Sequence, residues 1–345
     1  MTVDPVDPFI PAGLDVYHPR KEFSVDDRLD FEKPLVEIEK RIVALRHKNQ
    51  LNPSEQEVLQ QLLHDLHVQT KAIYTRLTPW QTLQIARHKD RPHAADYISM
   101  MCHDFLELHG DRSFMDDRAI LAGPAHLADT IVMFICHQKG RGSQEQQQRN
   151  FGMPHPEGYR KAARLMRQAE KFGFPIVCLI DTPGAFPGLE DEERGQSEAI
   201  ASNLALMSRL RVPIIAVVIG EGGSGGALAL SVADRLLMLE HSIYTVAAPE
   251  AAASILWRDA ALAPRAAEAM RISAHDLIET RIVDEIIPEP PGGAHRNYPA
   301  AADYLRTALC QHLSELKLLS PPALLTNRYQ KFRTFGAFTQ QPLAT

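Results

Sequence analysis

Between Pro213 and Ala229 an unbroken apolar stretch, Pro213-Ile-Ile-Ala-Val-Val-Ile219, runs into Gly220-Glu-Gly-Gly-Ser-Gly-Gly-Ala227 and on into a helical pattern. A strand with no polar face must be covered on both sides, a demand met by a parallel sheet flanked by helices. Similar β-branched runs at Ile131–Cys136, Ile176–Ile180 and Leu236–Leu239 alternate with helical patterns over about 157–172, 191–209 and 224–233. The alternation predicts an α/β fold with a largely parallel sheet.

Five glycines lie between Gly220 and Gly226, where a turn alone needs one or two. Such a loop exposes consecutive backbone N–H groups at the start of a helix, where they can hold a phosphate or a developing oxyanion. Three readings fit it. Gly220, Gly222 and Gly225 satisfy GxGxxG, with Glu240 ending the next strand as a ribose-binding carboxylate. Gly222-Gly-Ser-Gly-Gly226 satisfies GxSxG, with Ser224 as nucleophile and Asp234, Asp259, Asp276, His241, His275 and His295 as later triad candidates. The third is an oxyanion site made of main-chain amides alone. A P-loop is excluded because no Lys-Ser/Thr follows the last glycine. A second loop, Asp181-Thr-Pro-Gly-Ala-Phe-Pro-Gly188, follows the preceding strand, and two converging amide loops suit two donors facing one oxygen.

Around this core the chain divides into four parts. Residues 1–28, rich in Pro and Asp, read as a mobile tail. Residues 29–77 read as a helical hairpin: Leu35, Ile38, Ile42 and Leu45 recur at helical spacing, and Leu59, Leu66 and Ile73 repeat every seven residues beside Leu62 and Leu63. Ser54 with Glu57 reads as the capping box of its second helix, and the hairpin can dock on the body or on a partner. Residues 78–318 form the body, opening with a helix capped by Thr78-Pro79 and another over 94–108, and closing with helices near 250–257, 260–270 and 300–316. Residues 319–345, with Arg328, Lys331 and Arg333 among Tyr329, Phe332 and Phe335, read as a basic aromatic tail.

A formal charge of −6 argues against a general polyanion-binding surface, so nucleic acid is not an expected partner. The start of the chain lacks a signal-peptide pattern and no apolar run reaches a membrane span, so a cytoplasmic protein with no membrane partner is expected. Cys102, Cys136, Cys178 and Cys310 are scattered, with no CxxC or Cys/His ligand spacing, so they read as reduced thiols and no metal site is expected on this chain. The stretch containing Lys139, Arg141, Arg149, Arg160, Lys161, Arg164 and Arg167 is locally basic, suited to a phosphate-bearing ligand or a protein partner, or simply to a solvated face.

Several blocks occur in one order: Cys136-His-Gln-Lys-Gly-Arg141, Arg149-Asn-Phe-Gly-Met-Pro154, Pro156-Glu-Gly-Tyr-Arg-Lys161, Asp181–Gly188, Glu193-Arg-Gly-Gln-Ser-Glu-Ala-Ile200 and Gly220–Ala227. Together with Pro249-Glu250, Ala253-Ser-Ile-Leu-Trp257, Ile287-Pro-Glu-Pro290 and Gly292-Gly-Ala-His-Arg296, they resemble the alpha subunits of bacterial acetyl-CoA carboxylase carboxyltransferase, from about Leu29 to Gly336. The resemblance implies a ClpP/crotonase-like fold and transfer of a carboxyl group from carboxybiotin, borne on a separate biotin carboxyl carrier protein, to acetyl-CoA. The product would be malonyl-CoA for fatty acid synthesis.

It further implies a heterotetramer with a beta subunit that supplies most of the acyl-CoA site and the zinc-binding cysteines, with biotin carboxylase as a further partner and zinc expected only in the beta subunit. By motif match, the amides of Gly225, Gly226 and Ala227 would hold the biotin ureido oxygen. Gly222 and Gly223 would belong to the same binding site, and Gly184 and Ala185 would wall it. Ser224 becomes a turn residue, while the Tyr159 hydroxyl and Asn150 side chain are further candidates for orienting ligand. The runner-up is a crotonase-fold serine hydrolase using Ser224, and a third reading is a non-catalytic scaffold that recruits partners.

Overall fold

A computed structural model describes residues 28–48 and 50–336; apart from Arg28, the expected N-terminal tail lies outside the described residues. The chain opens with helices α1 (Lys33–Arg46) and α2 (Pro53–Tyr74), which pack on each other. The capping box falls two residues earlier than expected: Asn52 accepts the Glu55 N–H at 2.8 Å, and Glu55 accepts the Asn52 N–H at 3.0 Å. Pro53 explains the shift, because the first helical position is where a missing N–H goes unnoticed. Within the hairpin, the Tyr74 hydroxyl donates to buried Glu32 at 2.9 Å. The pair docks on the body, with Arg296 3.4 Å from Glu32 and the Tyr74 ring edge-on to His241 at 5.3 Å.

The body follows as α3 (Pro79–Ala86), α4 (Ala94–Met101), β1 (Cys102–His103), β2 (Ile120–Leu127), β3 (Thr130–His137), α5 (Gly142–Gln148), α6 (Pro156–Phe172) and β4 (Ile176–Thr182). Next come α7 (Leu189–Glu193), α8 (Gln196–Met207), β5 (Ile214–Gly223), α9 (Ser224–Leu228), β6 (Arg235–Leu239) and β7 (Ile243–Thr245). It closes with α10 (Pro249–Trp257), α11 (Ala263–Met270), α12 (Ala274–Glu279), β8 (Glu285–Ile287), α13 (Tyr298–Leu316) and α14 (Pro321–Arg333).

The strands form one sheet in the order β1-β2-β3-β4-β5-β6-β8, with β7 beside the far end of β5. The β1–β2 and β2–β3 pairs are antiparallel; every pair beyond them is parallel. All residues of β4 and β5 are buried, and their side chains alternate between two cores. Phe134, Leu179 and Val217 join Tyr97, Leu305 and Leu309 on one face, whereas Ile135, Ile180 and Val218 join Met166 and Met207 on the other. Among the described residues no helix is long and apolar enough to cross a membrane.

The helix expected over 94–108 ends at Met101 and gives way to strand β1, and three further elements depart from expectation. Strand β2 was hidden by Gly123-Pro124, which interrupts its apolar run; the sheet tolerates both because the Leu106 backbone passes against Gly123 and donates its N–H to the Pro124 carbonyl at 3.0 Å. The helix expected over 191–209 breaks at Gly195, whose φ of 81° is left-handed. The C-terminal tail is a correction: residues 321–333 are helix α14, and Arg328 is 2% exposed beneath it. All five guanidinium N–H groups of Arg328 are matched. Two bonds reach Asp234 at 2.9 and 2.7 Å, and three reach the carbonyls of Met207, Leu210 and Val212 at 2.7, 2.8 and 3.1 Å.

A second buried ion pair supports β5. Arg91 binds Glu289 through two bonds at 3.0 and 2.6 Å and donates Nε–H to the Ile219 carbonyl at 2.7 Å. Burial alone would raise the Glu289 carboxyl, but the Arg91 guanidinium outweighs it and brings it down to about 2. Because the folded state lowers this value from about 4.3 in an open chain, the stabilisation is complete above that pH and is lost as the pH falls toward 2. Urea unfolding should therefore show a midpoint that declines between pH 5 and pH 3. Glu289→Gln should lose about 3–5 kcal/mol at pH 7 and flatten the decline.

Candidate functional site

The glycine loop is assembled from the carboxyl ends of two adjacent parallel strands. β5 stays extended and buried through Gly223, and α9 begins at Ser224, whose φ of 54° turns the chain sharply. The first N–H groups of a helix have no helical carbonyl four residues back, which leaves those of Gly225 and Gly226 without an acceptor inside α9, whereas Ala227 lies four residues after the N-cap Gly223. The second loop meets this turn directly. A Cβ on Gly226 would stand 2.5 Å from the Ala185 nitrogen and 2.6 Å from the Gly184 carbonyl carbon, so only glycine allows the two loops to touch. Thr182 sets the second turn, its hydroxyl donating to the Gly184 carbonyl at 2.7 Å and accepting the Gly184 N–H at 3.1 Å.

Gly222 and Gly223 lie deeper than their neighbours. A Cβ on Gly223 would be 2.1 Å from the Pro183 carbonyl oxygen, and one on Gly222 would be 2.6 Å from the Tyr244 ring. They act by permitting close packing under the loop. Gly225 is different: its nearest neighbours would be Ile200 methyls at 3.7 and 3.8 Å, and Gly184 has nothing within 4 Å. The loop is thus closed at 222, 223 and 226 and open at 225 and 184. Tyr159 is fully buried beneath Gly226, and Asn150 donates to Asp117 at 3.3 Å, so neither sits on the open face.

Behind the loop stands a charged support that the sequence reading did not single out. The Asp181 carboxylate accepts the Glu221 N–H at 3.0 Å and lies 2.7 Å from the Lys139 ammonium. A Cβ on Gly220 would be 2.5 Å from that carboxylate. Burial pushes the Asp181 carboxyl up, but Lys139 and the Glu221 amide prevail and hold it below its ordinary value. Glu221 in turn accepts two bonds from Arg87 at 3.0 and 2.6 Å, and Arg87 reaches Glu250 of α10 at 2.6 Å. A cleft of about 250 Å³ lies beside this network, bordered by Lys139, Phe151, Pro183 and Glu221. Burial pushes His137 down to about 3 and His93 down to about 4, so both are neutral at pH 7. The signal in the sequence was a charged residue close after each apolar run, Asp181 next to Ile180 and Lys139 three residues past Cys136, at neighbouring strand ends.

The basic stretch is dispersed. Lys139 serves Asp181, Arg141 holds Asp96, Arg149 lies 2.8 Å from Glu145, and Arg160 lies 2.9 Å from Asp111. Lys161 is fully buried 2.8 Å from Asp116, and Arg164 donates to the Gly110 carbonyl at 3.0 Å. Of the seven, Arg167 is the exposed one, so the stretch presents no continuous cationic surface.

Residues 28–336 match the family model described as acetyl co-enzyme A carboxylase carboxyltransferase-like. The acetyl-coenzyme A carboxylase carboxyl transferase subunit alpha of Methylococcus capsulatus is 53% identical over 315 residues, covering 90% of this chain and 98% of that protein. The subunit of the same name from Thermus thermophilus is 51% identical over 313 residues, covering 90% and 99%. The chain belongs to this alpha-subunit family.

Solved structures agree on the architecture. A Pseudomonas malonate decarboxylase hetero-tetramer superposes with a TM-score of 0.52 at 21% identity, over 62% of this chain and 85% of that one. The beta subunit of P. aeruginosa geranyl-CoA carboxylase gives 0.53 at 15% identity, over 72% and 46%. The fold is crotonase-like α/β, as the resemblance implied. Family membership removes the serine hydrolase reading, and the side chains agree with that. Asp234 is bound to Arg328, while Asp259 and Asp276 cap helices through the Ala261 N–H and Ser273. The His241 ring packs on Tyr74 and the His295 ring on His88, so the candidate acids and these two histidines are engaged elsewhere. The dinucleotide reading loses its ribose carboxylate too, because Glu240 accepts the Glu289 N–H at 3.0 Å and ties β6 to the segment after β8.

Proposed function

We propose that this chain is the alpha half of a biotin-dependent carboxyltransferase that makes malonyl-CoA from acetyl-CoA, and that its glycine loop holds the biotin oxygen. The observation that carries the reading is the contact of Gly226 with Gly184 and Ala185, which fixes main-chain donors beside an open rim at Gly225. A flat ureido ring needs such a rim, because any side chain there would keep its oxygen away from the amides.

Carboxybiotin on its carrier supplies the CO2 and, once that is released, the base that takes the acetyl α-proton. The chain therefore needs no acid or nucleophile of its own. The amides of Gly225, Gly226 and Ala227 take up negative charge as it develops, and fixed donors do this without reorganising. Gly184 and Ala185 wall the pocket. The Lys139–Asp181–Glu221 support keeps β5 aligned beneath it.

The remaining acyl-CoA contacts and the zinc-binding cysteines are assigned to a beta subunit in an α2β2 assembly. A biotin carboxyl carrier protein and biotin carboxylase deliver the carboxyl group, in the cytoplasm and for fatty acid synthesis. The test is the reverse reaction: the purified chain mixed with its beta partner should carboxylate free biotin when given malonyl-CoA, and neither subunit should do so alone. No product from the mixture would overturn the reading.

The support can be tested in the same assay. Lys139→Met leaves the buried Asp181 carboxylate without its counter-charge, and kcat should fall by roughly 10-fold to 100-fold through misplacement of the loop. KM for malonyl-CoA should stay near the wild-type value, and Lys139→Arg should restore part of the rate.

A further inference from the structure

We propose that His103, Asp104 and His126 form a surface site for a divalent transition-metal ion, Zn2+ being the ion it takes. No spacing in the chain announces it; the register of two strands creates it. β1 pairs antiparallel with β2 so that His103 stands directly opposite His126, which places both side chains on one face. Their rings lie parallel, 4.8 Å apart with an 8° tilt.

Asp104 would point to the other face if the strand continued, because successive side chains alternate. Its φ of 55° is left-handed instead. The carboxylate comes back to the histidine face, 2.9 Å from His103 Nδ1 and 3.5 Å from His126 Nδ1. The three donor atoms lie within 4.8 Å of one another.

Two imidazoles and a carboxylate are the ligand types of an open zinc site, in which Zn–N and Zn–O are about 2.0–2.2 Å and water fills the fourth position. Reaching those distances requires the rings to tilt out of their stack, and they are free to do so. The His103, Asp104 and His126 side chains are 65%, 68% and 38% exposed. Exposure also opens a path for the ion. The Cys102 side chain is not a competitor, since it packs with Cys310 against the core.

A second group of the right residue types, His155, Glu157 and Asp191, is already served by cations. Arg194 lies 2.7 Å from Glu157 and 3.1 Å from Asp191, and Arg160 lies 3.0 Å from Glu157. Among the described residues no guanidinium is paired with the trio His103, Asp104 and His126. An ion there would cross-link the two-residue edge strand β1 to β2, and it revises the sequence-based expectation that this chain carries no metal site.

The experiment uses the full chain, stripped with a chelator and titrated with ZnCl2 by calorimetry, with thermal unfolding followed in parallel. One equivalent should bind and raise the unfolding temperature. His103→Ala and His126→Ala should each abolish that binding, and Asp104→Asn should weaken it by at least 10-fold. These positions are exposed, so the metal-free variants should unfold like the metal-free parent. His155→Ala should bind as the parent does. Absence of binding by the parent, binding unchanged in both His103→Ala and His126→Ala, or loss of binding in His155→Ala would overturn the proposal.

Discussion

Replacing Gly226 by alanine is expected to cut carboxyl transfer by about 10²–10³ in kcat, the loss seen when one oxyanion donor is removed from an enzyme site. The added methyl meets backbone, not a side chain that could swing away, since the Ala185 nitrogen is 2.5 Å from the Cβ position. The two loops must separate by about an ångström, which takes the donors away from a common oxygen. Overpacking of this kind costs about 1–3 kcal/mol, within the ~5–15 kcal/mol by which domains are stable. The variant should accordingly fold and assemble with its beta partner. Gly225→Ala is the control for crowding, because its Cβ contacts are ordinary ones at 3.7 and 3.8 Å; it should match the parent in urea unfolding. If Gly226→Ala turns over at the parental rate in the biotin carboxylation assay, the loop is not where the oxygen is held.

Arg328→Ala should be the most destabilising single substitution in the C-terminal segment, at about 3–5 kcal/mol. The change leaves Asp234 buried and without its counter-charge, together with the carbonyls of Met207, Leu210 and Val212. An uncompensated buried charge costs far more than the burial of an apolar side chain returns. Arg333, one turn further on and exposed, should tolerate alanine to within about 0.5 kcal/mol. Equal unfolding midpoints for the two variants would mean that α14 is not docked in solution. Removal of everything after residue 318 should reproduce or exceed the Arg328→Ala loss.

The strands and loops were legible because their signals are local. The apolar runs of β4 and β5 are buried on both faces and could be read from composition alone, as could the glycines that end them. The family resemblance supplied the crotonase-like topology, which periodicity cannot. What stayed hidden depends on partners far apart in the chain. Arg328 reads as a solvated charge until acceptors from two other segments, 207–212 and Asp234, converge on it. Lys139 and Asp181 read as separate polar residues until parallel pairing of β3 with β4 brings their strand ends together. Strand β2 was lost to its own Pro124, and with it went the pairing that sets His126 opposite His103.

The loop proposed to hold the biotin oxygen is made of main chain, and the atoms that shape it are hydrogens on α-carbons. Such a centre is altered by adding atoms and not by deleting them, which has a consequence for inhibition. A compound that binds through the amides of Gly225, Gly226 and Ala227 would leave the enzyme few single substitutions with which to escape. Change at 223 or 226 drives a methyl into the backbone of the 183–185 loop, and change at 222 drives one into Tyr244. Resistance would have to come from residues outside the loop, because a side chain at 225 would itself keep the biotin oxygen from the amides and Gly184 has a φ of 156° at which a side chain is strained.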